Sequence, residues 1–443
     1  MRKQTDEFVI QEAENGNYEA IYELARRNLH GYVNIETNKE KAFELYKKVA
    51  DESDIIDGKY MYAYCLYNGI GTAKDDKKAK DVFLYCAEKG DVASKYMLGI
   101  MNYYGRGVDK NYEAAKDYFE SIIESGSDRQ KCDAKYMLGL MYYNGRGVEK
   151  DYSKAKDYFE VTTINGTDRQ KNESNYMLGL MYYNGRGVKK DYQKALNSFK
   201  VVAENGNDKQ KLDAEYMVGL SYYYDMNPDY IKARESFIKV EEAGNTEAAY
   251  MLGLIYYYGN DVEPDYEKAK VYFEKGASAG DLSSNYMLGI MHYNGKGVER
   301  DYQKAKEYFD KAASNGRQNA KSMLGQIYYY GNGVEKDYQK AIEIFTELSN
   351  SEKTNYSGVA NFYLALMNYN GEGVERNYIK ARELFETAAN NRYDEANFYL
   401  GKLYYWADGV EEDRVKAKEY FEKAAEKGSK NAKDVLVEYY SEN

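Results

Sequence analysis

The chain has 443 residues, of which 53 are tyrosine, 2 are histidine, 3 are cysteine and 2 are proline. So few histidines and cysteines exclude zinc-finger arrays, haem proteins and disulfide scaffolds. The formal net charge of −11 disfavours binding to the phosphates of nucleic acids.

The two ends of the chain and its hydropathy favour a cytoplasmic protein. No apolar run reaches the length of a membrane span, and the first residues lack the apolar segment of a secretory signal. Residues 1–16 are predicted to form an N-terminal capping helix and residues 431–443 a C-terminal one. Such caps cover the open ends of a repeat array, which we place at residues 17–430.

A repeated unit fills this array. The segment from Tyr136 to Val148 returns almost unchanged from Tyr176 to Val188. A divergent first copy covers residues 21–50, and the chain therefore carries 11 units spaced by 34 to 40 residues. Related copies begin at Tyr60, Tyr96, Tyr216, Tyr250, Tyr286, Ser322, Phe362 and Phe398.

Each unit is predicted to contain two helices and no strand. The first, from Ala134 to Asn144 in one copy, carries apolar residues close to a 3.6-residue period. Gly145 and Gly147 end it with backbone that favours a tight turn. Asp151 then caps the second helix. The fold class is therefore an all-α array of about 11 helix pairs.

These residues resemble the Sel-one-like repeat (SLR), a relative of the tetratricopeptide repeat, over essentially the whole chain. The resemblance implies a right-handed superhelical solenoid of antiparallel helix pairs whose first helices line a concave groove. It also implies protein binding without catalysis. The residues that carry the pattern in one copy are Ala134, Leu138, Gly139, Tyr142, Gly145, Arg146, Gly147, Val148, Asp151, Lys154, Ala155, Tyr158 and Phe159.

Three features of the sequence have structural explanations that we prefer to catalytic or ligand-binding ones. Gly-x-Gly follows a helix and lacks the spacing of a nucleotide loop, so it is interpreted as a turn. The spacing of Asp151 and Lys154 indicates a helix cap followed by an exposed lysine. His292 stands where other copies have tyrosine, with no second ligand nearby in the sequence, and is interpreted as a packed side chain. No cofactor or metal is expected.

Two aromatic positions recur in the first helix, seven residues apart and thus on one face. We name them the early and the late tyrosine, and the resemblance places their face toward the groove. Acidic residues lie three positions before the early tyrosine, and asparagine or an aromatic residue follows the late one. The candidate partner-binding residues are Asp133, Tyr136, Tyr143, Asn144, Glu173, Tyr176, Tyr183, Asn184, Asp213, Tyr216, Tyr223, Tyr250, Tyr257 and Tyr258.

Two interpretations of this face stay open, and they are compatible. The tyrosines either pack between repeats, as strict recurrence favours, or form an aromatic strip with an acidic margin for a basic or peptide-like partner. A second candidate edge lies at three junctions that are four residues longer than the others. It is either a product of duplication or a basic docking edge, formed by Arg129, Lys131, Arg169, Lys171, Lys209 and Lys211.

The leading hypothesis is a non-catalytic scaffold or adaptor that binds a protein partner in an aromatic and acidic groove. The alternative is an inhibitor or immunity-type protein that wraps a basic effector such as a nuclease, with salt-sensitive association. No convergent set of acid, base, nucleophile or metal ligands supports an enzyme. Neither nucleic acid nor membrane is an expected partner, and the sequence leaves the oligomeric state open.

Overall fold

The structure is a computed structural model that describes residues 5–261 and 263–440. Throughout these residues the regular secondary structure is helical, apart from one isolated bridge between Tyr32 and Ile35. The predicted all-α repeat solenoid is confirmed. The chain divides into two compact units, one ending at Ser236 and the other beginning at Phe237.

In the first unit, consecutive helices from α1 to α12 pack against one another. The helices are α1 Asp6–Glu14, α2 Tyr18–His30, α3 Lys39–Glu52, α4 Ile56–Asn68, α5 Asp76–Glu88, α6 Val92–Tyr104, α7 Tyr112–Ser125, α8 Asp128–Asn144, α9 Tyr152–Asn165, α10 Asp168–Asn184, α11 Tyr192–Asn205 and α12 Asp208–Tyr224. The boundary between the two units falls within helix α13, Tyr230–Glu242.

The second unit continues the same plan, and consecutive helices from α14 to α24 pack against one another. The helices are α14 Glu247–Tyr258, α15 Tyr266–Ser278, α16 Leu282–Asn294, α17 Tyr302–Ala313, α18 Gln318–Tyr330, α19 Tyr338–Ser349, α20 Thr354–Asn370, α21 Tyr378–Asn390, α22 Glu395–Trp406, α23 Arg414–Glu426 and α24 Lys430–Tyr440.

Local sequence explains why each pair of helices begins and ends where it does. Gly145 ends α8 in the left-handed conformation, with φ of 68°, and its N–H donates to the carbonyl of Met141. The side chain of Asp151 accepts a hydrogen bond of 3.0 Å from the N–H of Lys154, which caps α9 as predicted. Both contacts satisfy backbone groups that a helix end leaves unpaired.

The core of most pairs forms where a glycine of the first helix meets a phenylalanine of the second, and alanine replaces this glycine in α4 and α20. Phe159 of α9 is fully buried, and a Cβ placed on Gly139 of α8 would lie 2.8 Å from its ring. The two helices can therefore approach closely only because Gly139 has no side chain. Fully buried phenylalanines recur at the same place, at Phe83, Phe119, Phe199, Phe237, Phe273, Phe309, Phe345, Phe385 and Phe421.

The ends of the array carry single helices. Helix α1 packs on α2, and α24 packs on α23, at the two places where capping helices are predicted. Residues 1–4 and 441–443 of those predicted segments lie outside the described residues, and the capping role itself stays a prediction.

Candidate functional site

The late tyrosine of the first helix is largely a packing residue. Tyr143 is buried, and its ring meets that of Tyr152, the first residue of the next helix, edge-on at 5.3 Å between centroids. Tyr257 is buried and meets Tyr266 in the same way at 5.4 Å. Tyr183 and Tyr223 are half-buried and keep the same edge-on contact, at 5.2 Å each.

The residue between the two glycines of the following repeat reaches back to this tyrosine. Arg146 donates to the phenolic oxygen of Tyr103 at 2.8 Å, and Arg186 to that of Tyr143 at 2.5 Å. Sequence reasoning assigned the Gly-x-Gly segment to a turn and missed this partner. The available signal was that its middle residue is polar in each copy that keeps the motif from Gly105 onward.

The same contact persists in the second unit while the chemistry of the middle residue changes. Asn332 donates to the hydroxyl of Tyr293 at 2.8 Å. Where the middle residue is acidic, the tyrosine becomes the donor instead, because a phenol can both donate and accept. These donors are Tyr329, to Glu372 at 2.6 Å, and Tyr369, to Asp408 at 3.2 Å.

The early tyrosines are half-buried against the second helix of their own repeat. The ring of Tyr136 lies 6.2 Å from that of Phe159. Burial and the neighbouring carboxylate of Glu173 raise the pKa of Tyr136, so its hydroxyl stays protonated and able to donate. Equivalent ring contacts join Tyr176 to Phe199 at 5.5 Å and Tyr250 to Phe273 at 6.1 Å. Tyr216 is half-buried at the corresponding place in α12.

The predicted acidic margin of the first unit is mostly engaged within the protein. Asp133 accepts a hydrogen bond of 2.6 Å from the amide of Gln170 in the next first helix, and burial raises its pKa. Glu173 forms an ion pair with Arg169 at 2.7 Å. Asp213 is exposed. The structure therefore brings Asp133, Tyr136 and Glu173 together with Arg169, which neutralises Glu173.

The position after the late tyrosine reaches solvent. Tyr258 has 60% of its surface exposed, and Tyr104 and Tyr224, at the same position in the first unit, are exposed as well. Asn144 and Asn184 are exposed, although their amides donate to helix carbonyls at 2.8 and 2.9 Å.

The second candidate edge arises because three first helices begin one turn early. Helices α8, α10 and α12 each have 17 residues and open with a capping box built on Gln130, Gln170 and Gln210. Helix α20 is equally long, an extension that sequence comparison missed because it lacks the Asp-Arg-Gln-Lys pattern. Arg129, Arg169, Lys209 and Lys211 are exposed, whereas Lys131 and Lys171 are half-buried.

Three of these basic residues lie on two different surfaces, and the docking edge itself stays a prediction. The side chain of Arg169 is held by Glu173 on the tyrosine face, as described above. Arg129 and Lys131 instead line a cleft of about 790 Å³ with Cys132 and Thr167. The extra turns thus supply charge to two different surfaces.

The histidine and the cysteines that the sequence singled out are buried side chains. His292 is buried and stacks on Tyr308 at 5.6 Å, and burial lowers its pKa. Cys65, Cys86 and Cys132 are buried free thiols. The described residues bring together no group of three histidine, cysteine, aspartate or glutamate side chains that could hold a metal ion.

The second unit contains an aromatic cluster that sequence reasoning missed. Tyr363 and Tyr399 occupy the position held by methionine in most other first helices, as at Met137, and this replacement was the available signal. Rings follow one another across α18, α20 and α22, with centroid distances of 4.6 to 6.2 Å. We define the C-terminal aromatic cluster as Tyr330, Phe362, Tyr363, Tyr369, Tyr393, Tyr399 and Trp406.

A lysine lies inside this cluster. The ammonium nitrogen of Lys402 is 5.1 Å from the ring centroid of Tyr369, 5.4 Å from Tyr399 and 5.6 Å from Trp406. No described carboxylate lies within ion-pair distance of Lys402, and burial lowers its pKa. The corresponding residue of α8 is the aliphatic Leu140.

Tandem two-helix units with glycine turns and aspartate caps define a helical repeat protein. The chain belongs to the Sel1 repeat family, and proteins of this kind generally act as scaffolds for protein interactions. The family profile matches 11 segments, in agreement with the predicted number of repeats. They are residues 19–54, 56–84, 92–127, 132–161, 172–200, 212–237, 246–281, 282–316, 319–350, 358–393 and 394–429.

One solved structure shows the same fold over nearly the whole chain. The chain is similar to c5321, a protective antigen present in uropathogenic Escherichia coli strains displaying an SLR fold, with 25% identity, a TM-score of 0.74, and coverage of 99% of this chain and 91% of that one. A Sel1 repeat protein from Oxalobacter formigenes has 23% identity and a TM-score of 0.49 over 72% of this chain and 89% of that one. No curated protein sequence matches the chain.

The helices carry no membrane-span signature. Among residues 5–261 and 263–440, none of the helices combines the length and the apolar character needed to cross a membrane.

Proposed function

We propose that the protein is a non-catalytic scaffold or adaptor that binds a protein partner on the face carrying the early and late tyrosines. The observation that carries the proposal is the exposure of the position after the late tyrosine. Tyr104, Tyr224 and Tyr258 are large aromatic side chains left in solvent there, although neighbouring tyrosines are packed. Tyrosine is favoured at protein interfaces because it brings a large contact area and a hydroxyl at low entropy cost.

The partner is proposed to be a basic or peptide-like protein. The net charge of −11 supports this class, since complementary charge speeds encounter and repels acidic competitors. We place the binding in the cytoplasm, where buried reduced thiols such as Cys65 are ordinary.

The test compares exposed aromatic residues with exposed aliphatic residues on second helices. Capture from the native cell by the wild type is compared with capture by Tyr104→Ala/Tyr224→Ala. The control is Ile164→Ala/Val415→Ala, whose parent side chains are each 72% exposed in α9 and α23. We expect the tyrosine variant to lose most of the captured partner and the control to retain it. Retention of every partner by a folded tyrosine variant refutes the proposal.

The inhibitor alternative is supported by the acidic net charge alone. Titration of the purified protein against a captured basic enzyme distinguishes the two roles. An inhibitor abolishes activity at equal molar amounts, and more strongly at low salt, because screening weakens association between exposed charges. An adaptor leaves the activity of its partner intact.

A further inference from the structure

The C-terminal aromatic cluster is bordered by carboxylates that accept hydrogen bonds from tyrosine hydroxyls. Glu372 accepts hydrogen bonds from Tyr329 at 2.6 Å and from Tyr338 at 3.3 Å. Asp408 accepts one from Tyr369 at 3.2 Å. These donors are neutral, so the contacts orient the carboxylates without forming an ion pair. The charge of Asp408 also acts on the nearby ammonium of Lys402, whose pKa it raises against the larger effect of burial.

Glu395 adds a third carboxylate at the start of α22. Its side chain is exposed, and its charge contributes to the raised pKa of both Tyr393 and Tyr399, after the larger effect of burial. The charge of Glu372 also contributes to the raised pKa of Tyr399. The hydroxyls and faces of these rings therefore lie in a negative field.

The cluster already holds one cation. Lys402 places its ammonium among Tyr369, Tyr399 and Trp406, where the negative faces of the rings attract positive charge. Trp406 and Tyr330 remain close to half exposed, at 48% and 47%. The rings therefore have faces in solvent that can receive further cationic groups.

The first unit provides an internal comparison. Its Gly-x-Gly residues Arg106, Arg146 and Arg186 are cationic, and its Glu173 is neutralised by Arg169. The second unit carries Lys296 and Asn332 at two of the corresponding turns, but its last two turns carry Glu372 and Asp408. Exposed rings and carboxylates held by tyrosine hydroxyls thus occur together at residues 330–408, beyond the residues that sequence analysis selected.

We propose that the C-terminal aromatic cluster is the docking surface for an extended, arginine- or lysine-containing segment of the partner protein. The inference rests on the proposed function and specifies where the partner binds and what chemistry it carries. Cationic side chains lie over the faces of Tyr330 and Trp406 and pair with Glu372, Glu395 and Asp408.

The experiment measures binding of the full-length protein to a fluorescent peptide that alternates glycine with arginine, and to a matched glycine–glutamate peptide. Glu372→Gln/Asp408→Asn keeps the acceptors for the tyrosine hydroxyls and removes the charge. We expect binding of the arginine peptide to weaken about fivefold or more, and Trp406→Ala to weaken it about tenfold or more. The glutamate peptide does not bind.

Lys402→Leu is expected to strengthen binding of the arginine peptide, whereas the preceding variants weaken it. It restores the aliphatic residue that Leu140 represents in α8, and it removes a positive charge from the docking surface. We expect it to tighten binding of the arginine peptide about threefold. A purely structural role for the cluster predicts no gain from this substitution, and unchanged or weaker binding overturns the proposal.

The control Val201→Ala alters an exposed aliphatic residue of α11 in the first unit and leaves the cluster intact. If this control loses binding of the arginine peptide while Trp406→Ala retains it, the C-terminal aromatic cluster is not the docking surface. Equal binding of the arginine and glutamate peptides, or binding of neither, overturns the cationic class. The cell-capture test of the proposed function uses Tyr104→Ala/Tyr224→Ala and another readout, so it can succeed when this inference fails.

Discussion

The guanidinium of Arg146 donates a hydrogen bond of 2.8 Å to the hydroxyl of Tyr103, which lies 43 positions earlier in the chain. The guanidinium also lies 5.4 Å from the ring centroid of the same tyrosine. One contact thus joins the glycine turn of a repeat to the first helix of the repeat before it. It gives the turn a packing role in addition to reversing the chain direction.

Removal of this contact is expected to weaken the junction between repeats. Arg146→Ala should lower the free energy of unfolding by about 1 kcal/mol, the usual net value of one hydrogen bond with a modest cation–π contribution. Chemical denaturation measures it. Lys209→Ala, at an exposed position of α12, should change stability by less than about 0.5 kcal/mol, and equal losses in the two variants would refute the junction role.

Gly139→Ala is expected to destabilise the protein by about 1–3 kcal/mol. The new Cβ would lie 2.8 Å from the ring of Phe159, which is fully buried and cannot move without a cost in packing. Helix propensity alone predicts the opposite, a gain of about 1 kcal/mol. Ala365, which replaces the glycine in α20, provides the reverse comparison, and Ala365→Gly should also lose stability. A stabilised Gly139→Ala variant would contradict the close helix approach.

Acid is expected to weaken the N-terminal end through Glu23. This carboxylate accepts hydrogen bonds from Arg26 at 2.7 Å and Arg27 at 3.0 Å, which help to lower its pKa from 4.5 to about 2. Because the pKa is lower in the folded state, the stabilisation is complete above about pH 4.5 and is lost as the pH falls toward 2.

Urea denaturation at several pH values tests this relationship. Between pH 4.5 and 2 the free energy of unfolding of the wild type should fall more steeply than that of Glu23→Gln. Glu124→Gln, at an exposed position of α7, serves as the control and should retain the wild-type slope. Parallel profiles for wild type and Glu23→Gln would exclude a contribution from this carboxylate.

The cysteines are expected to be unreactive in the native protein. Cys65, Cys86 and Cys132 are buried, and burial raises the pKa of Cys65 to about 11. Thiolate, the reactive form, is therefore scarce near neutral pH. A thiol reagent should label no cysteine rapidly in buffer and all three in denaturant. Rapid labelling of one thiol in buffer would show local opening.

Repetition and local chemistry let the sequence alone determine the architecture. The period, the helix pairs, the glycine ends and the aspartate caps were all predictable, because each depends on residues a few positions apart and recurs along the chain. The predicted contact between Asp151 and the backbone of Lys154 is present at 3.0 Å. Even the early start of α8 followed from the length of its junction.

Tertiary structure decided which side chains of the tyrosine face are packed and which are exposed. Tyr143 and Tyr258 belong to different repeats and occupy neighbouring positions of the repeat pattern. Tyr143 is nevertheless buried, whereas Tyr258 is 60% exposed. Likewise, packing between neighbouring first helices brings Gln170 against Asp133 and Lys402 against Tyr369. Both contacts join residues 30 or more positions apart, and a repeat period carries no information about those pairings.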